Sequence, residues 1–337
     1  MEKIFVRFKT FIEENKLILP GEKLILGVSG GPDSLFLFHM ALMLKNHQKN
    51  EFIVAHFNHL LRKEASREEE YVRSVCQKNN IALVSEKKDV RKLFKGDSLE
   101  QTARNLRYDF FLKTSRTYKI KKVVLAHHKD DLIETVLLRM LRGSGLSGLR
   151  GILPISKYKK IVVVRPLLFL EKKEITAFLT AREIKYLVDK SNFQEEFLRN
   201  KIRLRLLPVL SKISNSYKDN LYNLAKSIGW DYDFIHKQSL LAVQSAVLKE
   251  SANIFEISFE KIAHLHRSLL NGSIRICLEW TKGNLRRVDS KHIDEIIDLI
   301  FERPVGSVVD IPDLKITKKE KSLVFRKIEA NSGHKTI

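Results

Sequence analysis

Gly27-Val28-Ser29-Gly30-Gly31-Pro32-Asp33-Ser34 stands directly after an apolar strand-like run and directly before a segment of helical periodicity. Adjacent glycines let the backbone turn sharply and bring its N–H groups against an anion. Ser29 and Ser34 add hydroxyl donors, and the helix that follows presents its positive end to the same spot. An ordinary tight turn also favours Gly-Gly and Asp, but two serines flanking the glycines in this context point to a phosphate site. There is no G-x-x-x-x-G-K-[ST], so this is not the kinase-type loop.

Outward from the loop, strand-like runs at Lys23–Ser29, Phe52–Phe57, Ile81–Glu86 and Lys122–His127 alternate with helical faces. Leu35, Phe38, Ala41 and Leu42 make one face; Tyr71, Val72, Val75 and Cys76 make another. Capping signatures open two helices, Ser66-x-x-Glu69 and Ser98-x-x-Gln101. Strands alternating with helices predict βαβ units, hence an α/β fold with a parallel sheet covered on both faces. Ligands in such sheets bind at the carboxyl ends of the strands, here Ser29, Phe57 and His127. The texture changes after Pro208, which predicts a domain over 1–210 and a second region over 211–337. That second region reads as a helical connector, Ser211 to about Glu250, followed by a smaller α+β unit. Within it a helix is expected over Ser290–Phe301, with strands near Ser307–Ile311 and Ser322–Arg326 and a frayed end from Glu329.

The charge balance narrows the partners. The chain has 337 residues, 61 Lys+Arg against 40 Asp+Glu and a net charge of +21, which favours a polyanion such as nucleic acid. Its two cysteines, Cys76 and Cys277, form no C-x-x-C pair, so neither a disulfide framework nor a thiolate zinc site is expected. A charged N-terminus and the lack of any apolar run of about 18 residues predict a cytoplasmic protein with no membrane span.

Three further stretches fall near the same strand ends. His56-Phe57-Asn58-His59-Leu60-Leu61-Arg62 closes the second strand, and Ala126-His127-His128-Lys129-Asp130-Asp131-Leu132-Ile133-Glu134-Thr135 closes another. Between them Arg104 and Arg107, three apart, share a helix face. Without thiols and with carboxylates adjacent, the histidines do not make a zinc site; Mg²⁺ carried with a nucleotide is expected instead, with Asp33 or Asp131 as its oxygen ligands. Acids also suit the first turn of a helix, a reading that fits Asp130 as a cap better than Asp131 or Glu134. Gly143-Ser144-Gly145-Leu146-Ser147-Gly148 matches the dinucleotide fingerprint but follows a helical segment instead of a strand, so it reads as a helix stop and a loop over the site.

The Ser29–Ser34 loop resembles the S-G-G-x-D-S loop of the PP-loop ATPases, which cleave ATP between its α- and β-phosphates. The ordered set resembles one family within them, the tRNA(Ile)-lysidine synthases. It comprises H-x-N-H-x-L-R at His56, R-x-x-R-Y at Arg104, A-H-H-x-D-D-x-x-E-T at Ala126 and R-G-x-G-x-x-G-L at Arg142. It continues through R-P-L-L at Arg165, D-x-S-N at Asp189 and the basic helix Arg199–Arg205, covering about the first 210 residues. Pro32 and Leu132 replace residues that are often aliphatic and glutamine in that family, and the length leaves room for one C-terminal module. The resemblance implies a Rossmann-like PP-loop domain and a ligase that adenylates O2 of the wobble cytidine in isoleucine tRNA with a CAU anticodon. Free L-lysine then displaces AMP to give lysidine. It also implies that Ser29, Gly30, Gly31, Pro32, Asp33 and Ser34 hold ATP. Asp33, Asp131 and Glu134 would hold the lysine ammonium, and His127 and Arg104 would face the phosphates or the developing charge. Arg199, Lys201, Arg203 and Arg205, with the C-terminal unit, would grip tRNA. Rival readings are a thiolase of the same superfamily, a small-molecule amidotransferase, and an RNA-binding protein on a relic nucleotide fold.

Overall fold

Leu24, Ile25 and Leu26 are all buried in β1 (Lys23–Gly27), as expected of a central parallel strand covered on both faces. Leu24 and Leu26 enter one core and Ile25 the other, the alternation of a pleated strand. The structure, a computed structural model, describes residues 2–60, 65–94, 98–187 and 198–328. Arg62, the D-x-S-N run at 189–192, the end from 329 and the side chain of Ser66 lie outside the described residues.

Unit one, Met1–Lys226, is built on a six-stranded sheet of order β3-β2-β1-β4-β6-β5. Its strands are β1, β2 (Glu51–Asn58), β3 (Leu83–Lys87), β4 (Lys122–Val124), β5 (Ile155–Tyr158) and β6 (Ile161–Val164). All pairings are parallel except β5 with β6, an antiparallel hairpin at the edge. Helices α1 (Glu2–Glu14), α2 (Pro32–Gln48), α3 (Ala65–Lys78), α4 (Leu99–Tyr118), α5 (Lys129–Leu141), α6 (Leu146–Leu149) and α7 (Lys172–Thr180) follow in chain order. One core gathers Phe8, Phe36, Phe38 and Leu179; the other gathers Phe110, Phe111, Val123 and Val163. Because β1 lies between β2 and β4, chain direction switches there and opens a crevice at the carboxyl ends.

Ser98 caps α4 by accepting from Gln101 N at 3.1 Å, as its signature predicts. Glu69 ties α3 to β3, accepting from Ser85 Oγ at 3.1 Å and pairing with Lys87 at 3.1 Å. Gly143, at φ +70°, takes the left-handed turn that stops α5, so the G-x-G-x-x-G run is a helix terminus leading into α6.

The basic segment departs from expectation. It is not one α-helix but α8 (Leu198–Lys201), a π-helical turn over Ile202–Leu206 and α9 (Leu207–Ile213). Pro208 has no N–H to donate to the Leu204 carbonyl and its ring crowds that oxygen; the widened turn, with Leu207 N bonded to Ile202 O, accommodates it.

The long helix α10 (Tyr217–Ala246) crosses from one unit to the next, the division falling between Lys226 and Ser227 where the sequence reading drew it at 210. Unit two, Ser227–Ile337, has a five-stranded antiparallel sheet of order β7-β8-β11-β10-β9. Its strands are β7 (Val247–Glu250), β8 (Ile254–Ser258), β9 (Val308–Ile311), β10 (Leu314–Lys318) and β11 (Ser322–Lys327). They share a core with α11 (Glu260–Ala263), α12 (Arg267–Lys282) and α13 (Ser290–Phe301). Ile293, Ile296, Ile297 and Ile300 form the buried stripe of α13, and Asp289 caps it.

Candidate active site

The loop after β1 is organised around the Ser34 hydroxyl. Its Oγ accepts from Ser29 N and Gly30 N, each at 3.2 Å, and donates to Gly31 O at 2.9 Å. Gly30 sits at φ +93°, which only glycine adopts without strain. Pro32 then opens α2 with its φ already helical and no N–H to leave unsatisfied. The loop floors a cavity of ≈ 340 Å³ whose lining includes Ser29, Asp33, His56, Asn58, Arg107 and His127. His56 Nδ1 donates to Val28 O at 2.9 Å, while His56 Nε2, Arg107 Nε and His127 Nδ1 are shielded from water without a partner among the described residues. Buried polar atoms facing a cavity are what a nucleotide's oxygens and ring nitrogens would satisfy.

A relay of charges leads from Asp33 away from the loop. Lys172 Nζ reaches Asp33 Oδ1 at 2.5 Å, and His128 Nε2 lies 3.6 Å from Asp33 Oδ1 and 3.5 Å from Asp131 Oδ2. Arg199 bridges the next pair, with Nη2 on Asp131 Oδ1 at 3.0 Å and Nε on Glu134 Oε2 at 2.8 Å. Arg203 forks onto both Glu134 oxygens at 2.6 and 2.9 Å. The Glu134 side chain is only 2% exposed, so this fork is what makes its charge tolerable there.

These neighbours set the protonation states. Burial opposes charge on His128, but the carboxylates of Asp131, Asp130 and Asp33 outweigh it and push the imidazole up to about 10. Burial acts on Asp131 in the opposite sense, yet His128, His127 and Arg199 hold it down at about 2. His127 has the reverse fate: burial, with Arg165, Arg107 and Arg104 nearby, pushes it down to about 3 against the pull of Asp131. Adjacent histidines thus differ, His127 neutral and His128 charged at neutral pH. Since His128 binds its proton more tightly folded than at its ordinary 6.5, its contribution is complete below 6.5 and is lost as pH rises towards 10. Thermal unfolding should therefore show stability falling from pH 7 to 10, and His128→Asn should remove that alkaline limb; a limb of unchanged depth would contradict the assignment.

The structure brings Ser29, Gly31, Asp33, Ser34 and His127 to one cavity, with Gly30 and Pro32 in the same loop. Asp131 and Glu134 lie beyond it, joined through His128 and Arg199. Arg104 is exposed, its guanidinium 5.0 Å over the Tyr108 ring, and Arg107 lines the cavity in its place. Two expectations are corrected. Asp131, not Asp130, caps α5, accepting from His128 N at 3.0 Å; Asp130 pairs with Lys218 at 2.5 Å and accepts from Lys172 N at 2.7 Å. Lys172, His128, Arg199 and Arg203 supply the carboxylates with cations. Arg199 and Arg203 are turned to α5, leaving Lys201 and Arg205 as the exposed cations of that segment. Sequence reasoning missed Lys172 altogether; the Glu171-x-x-Glu174 capping box, which the structure contains, could have placed it at a helix start.

A glycine-serine loop at the switch point of a parallel sheet, an aspartate in the helix behind it and a nucleotide-sized cavity together define an enzyme of the PP-loop ATPase class. Residues 1–210 match the family described as a PP-loop domain. The tRNA(Ile)-lysidine synthase of Petrotoga mobilis is 35% identical over 318 residues, 94% of this chain and 96% of that protein. The enzyme of that name from Clostridioides difficile is 31% identical over 96% of this chain and 70% of its own length. The chain belongs to the tRNA(Ile)-lysidine synthase family. Among solved structures, the U34-tRNA thiolase NcsA from Methanococcus maripaludis, with its [4Fe-4S] cluster, shares the fold at a TM-score of 0.56. It is 15% identical, over 66% of this chain and 78% of that one.

Proposed function

We propose that this chain is a carbon–nitrogen ligase that adenylates the wobble cytidine of isoleucine tRNA bearing a CAU anticodon and joins free L-lysine to it. In the first step O2 of the cytidine attacks the α-phosphorus of ATP and pyrophosphate leaves. In the second the ε-amine attacks C2, AMP departs and lysidine forms. What carries the reading is the relay that joins Asp33 at the cavity, through His128, to Asp131 and Glu134.

ATP would lie in the cavity, its phosphates at the Ser29–Ser34 loop and near Arg107 and His127. Neutral His127 can accept or donate a hydrogen bond without adding charge, and exposed Arg104, whose charge already acts on His127 and Arg107, would meet negative charge. Asp33 or Asp131 would offer a carboxylate oxygen to Mg²⁺ carried with ATP, which would supply charge neutralisation at the phosphates. Among the described residues there is no cluster of three His, Cys, Asp or Glu that could hold a metal. L-lysine carries both signs of charge, and the alternation of Lys172, Asp33, His128, Asp131, Arg199 and Glu134 offers partners for each. Its ammonium would exchange for a resident guanidinium on Asp131 or Glu134. Exposed Lys201 and Arg205 remain candidates for tRNA phosphates.

The thiolase reading lacks its sulfur carrier. Cys76 is buried, with its thiol pushed up to about 11 mainly by burial, and Cys277 belongs to the other unit. Among the described residues no helix is long and apolar enough to cross a membrane. The deciding experiment supplies ATP, tRNA and labelled lysine. Label should enter the tRNA as AMP and pyrophosphate appear in step, whereas stoichiometric ADP or unlabelled tRNA would rule the proposal out.

A further inference from the structure

Between Glu134 and Glu171 the chain has no acidic residue and seven Lys and Arg. The first part of that stretch leaves α5 and turns through α6, and it keeps large aliphatic side chains in solvent. Met140 is 57% exposed, Leu141 58% and Leu146 41%, interleaved with exposed Arg142. A surface turn has no folding reason to display three such side chains together. The turn is also held in shape. Arg139 Nη1 donates to Gly148 O at 2.8 Å and to Gly151 O at 2.9 Å, and Arg150 Nε donates to Ser147 O at 3.1 Å.

The guanidiniums crowd one another. Burial, then the charges of Arg150 and Arg104, hold Arg139 below its ordinary value, and among the described residues neither Arg104 nor Arg139 has an ion-paired carboxylate. Arg104 also acts on His127 and Arg107, both of which line the cavity. The cationic surface therefore runs on from the nucleotide site, and its occupant must be the molecule whose reacting group enters that site. Exposed aliphatics suit unstacked bases, and guanidiniums suit the phosphates between them.

We propose that the α5–α6 turn, through Met140, Leu141, Arg142, Leu146 and Arg150 with Arg104 beside it, is the docking surface for the single-stranded RNA that flanks the adenylated nucleotide. This rests on the RNA-substrate reading above. It places the strand at this turn and not on Arg199 and Arg203, whose guanidiniums are engaged with α5.

The test measures tRNA affinity against salt, and ATP affinity, for wild type, Arg142→Ala, Leu141→Ser and Leu146→Ser. Arg142→Ala should weaken tRNA binding about 5- to 10-fold and flatten the logarithmic salt slope by about 0.7–1, the share of one lost phosphate contact. Each leucine variant should weaken binding about 3- to 10-fold with the slope unchanged, because an aliphatic contact releases no counterion. ATP affinity should stay as in wild type. Leu141 ends α5 and Leu146 begins α6, so the two variants give separate readings and a folding defect in one does not decide the outcome. Wild-type tRNA affinity and slope in all three variants would overturn the docking surface. A wild-type protein whose tRNA affinity ignores salt would instead overturn the RNA-substrate reading itself.

Discussion

Replacing Asp33 with alanine is expected to lower turnover about 100- to 1000-fold, the scale of losing one preorganised charge at a reacting centre. Its position explains why the loss should fall on turnover and not on ATP binding. Asp33 opens α2 behind the phosphate loop and is held by Lys172 at 2.5 Å and by His128 at 3.6 Å. Burial raises its pKa, but His128 and Lys172 more than compensate and keep the carboxylate ionised. Without it, two cations face the triphosphate unopposed, so the KM for ATP should hold steady or fall while kcat collapses. Affinity for tRNA should stay within about twofold, because phosphate contacts are spread along the molecule. His128 should also titrate lower, since one of its three carboxylates has gone. Pyrophosphate release, tRNA binding and the His128 resonance give the three readings. Turnover within tenfold of wild type, or a defect confined to the KM for ATP, would remove Asp33 from the reacting centre.

What could be read in the sequence was local or periodic. The run Leu24–Leu26 announces a central strand because three successive apolar residues leave neither face polar. The bounds of α13 follow from its cap, Asp289, and a four-isoleucine stripe. The β5–β6 hairpin escapes because Ser156, Lys157, Lys159 and Lys160 make a four-residue strand look like a charged loop. The site divides the same way. Ser29 to Ser34 are legible as one loop, whereas the pairing of Asp33 with Lys172 spans 139 positions and leaves no local trace. Arg199 and Arg203 show how a periodic signal misleads. Their spacing puts them on one face of a helix, and a row of cations reads as a grip on polyanions. What that face meets is set by buried Glu134, which needs a counter-charge more than solvent-exposed RNA contacts do.

That pairing makes Glu134 the most informative position left, because two roles predict different outcomes for the same change. Glu134→Gln keeps the shape and removes the charge. As the anchor between α5 and the 198–206 segment, the carboxylate should contribute to stability, and its loss should destabilise unit one by a few kcal/mol, as for a broken buried pair. Arg203→Met breaks the same anchor from the other side and should lower the melting temperature similarly. Lysine binding separates the two. If Glu134 holds the lysine ammonium, Glu134→Gln and Asp131→Asn should raise the KM for lysine about tenfold or more, the ratio set by about 1.4 kcal/mol of charge-assisted contact. Adenylation of tRNA without lysine should persist in both. Arg203→Met frees Glu134 from its fork, so its KM for lysine should stay level or fall. A rise of lysine KM in Glu134→Gln with none in Arg203→Met, at comparable loss of stability, is the signature of a substrate contact. A parallel rise in both would reduce Glu134 to a structural anchor and return the lysine site to Asp33 and its neighbours.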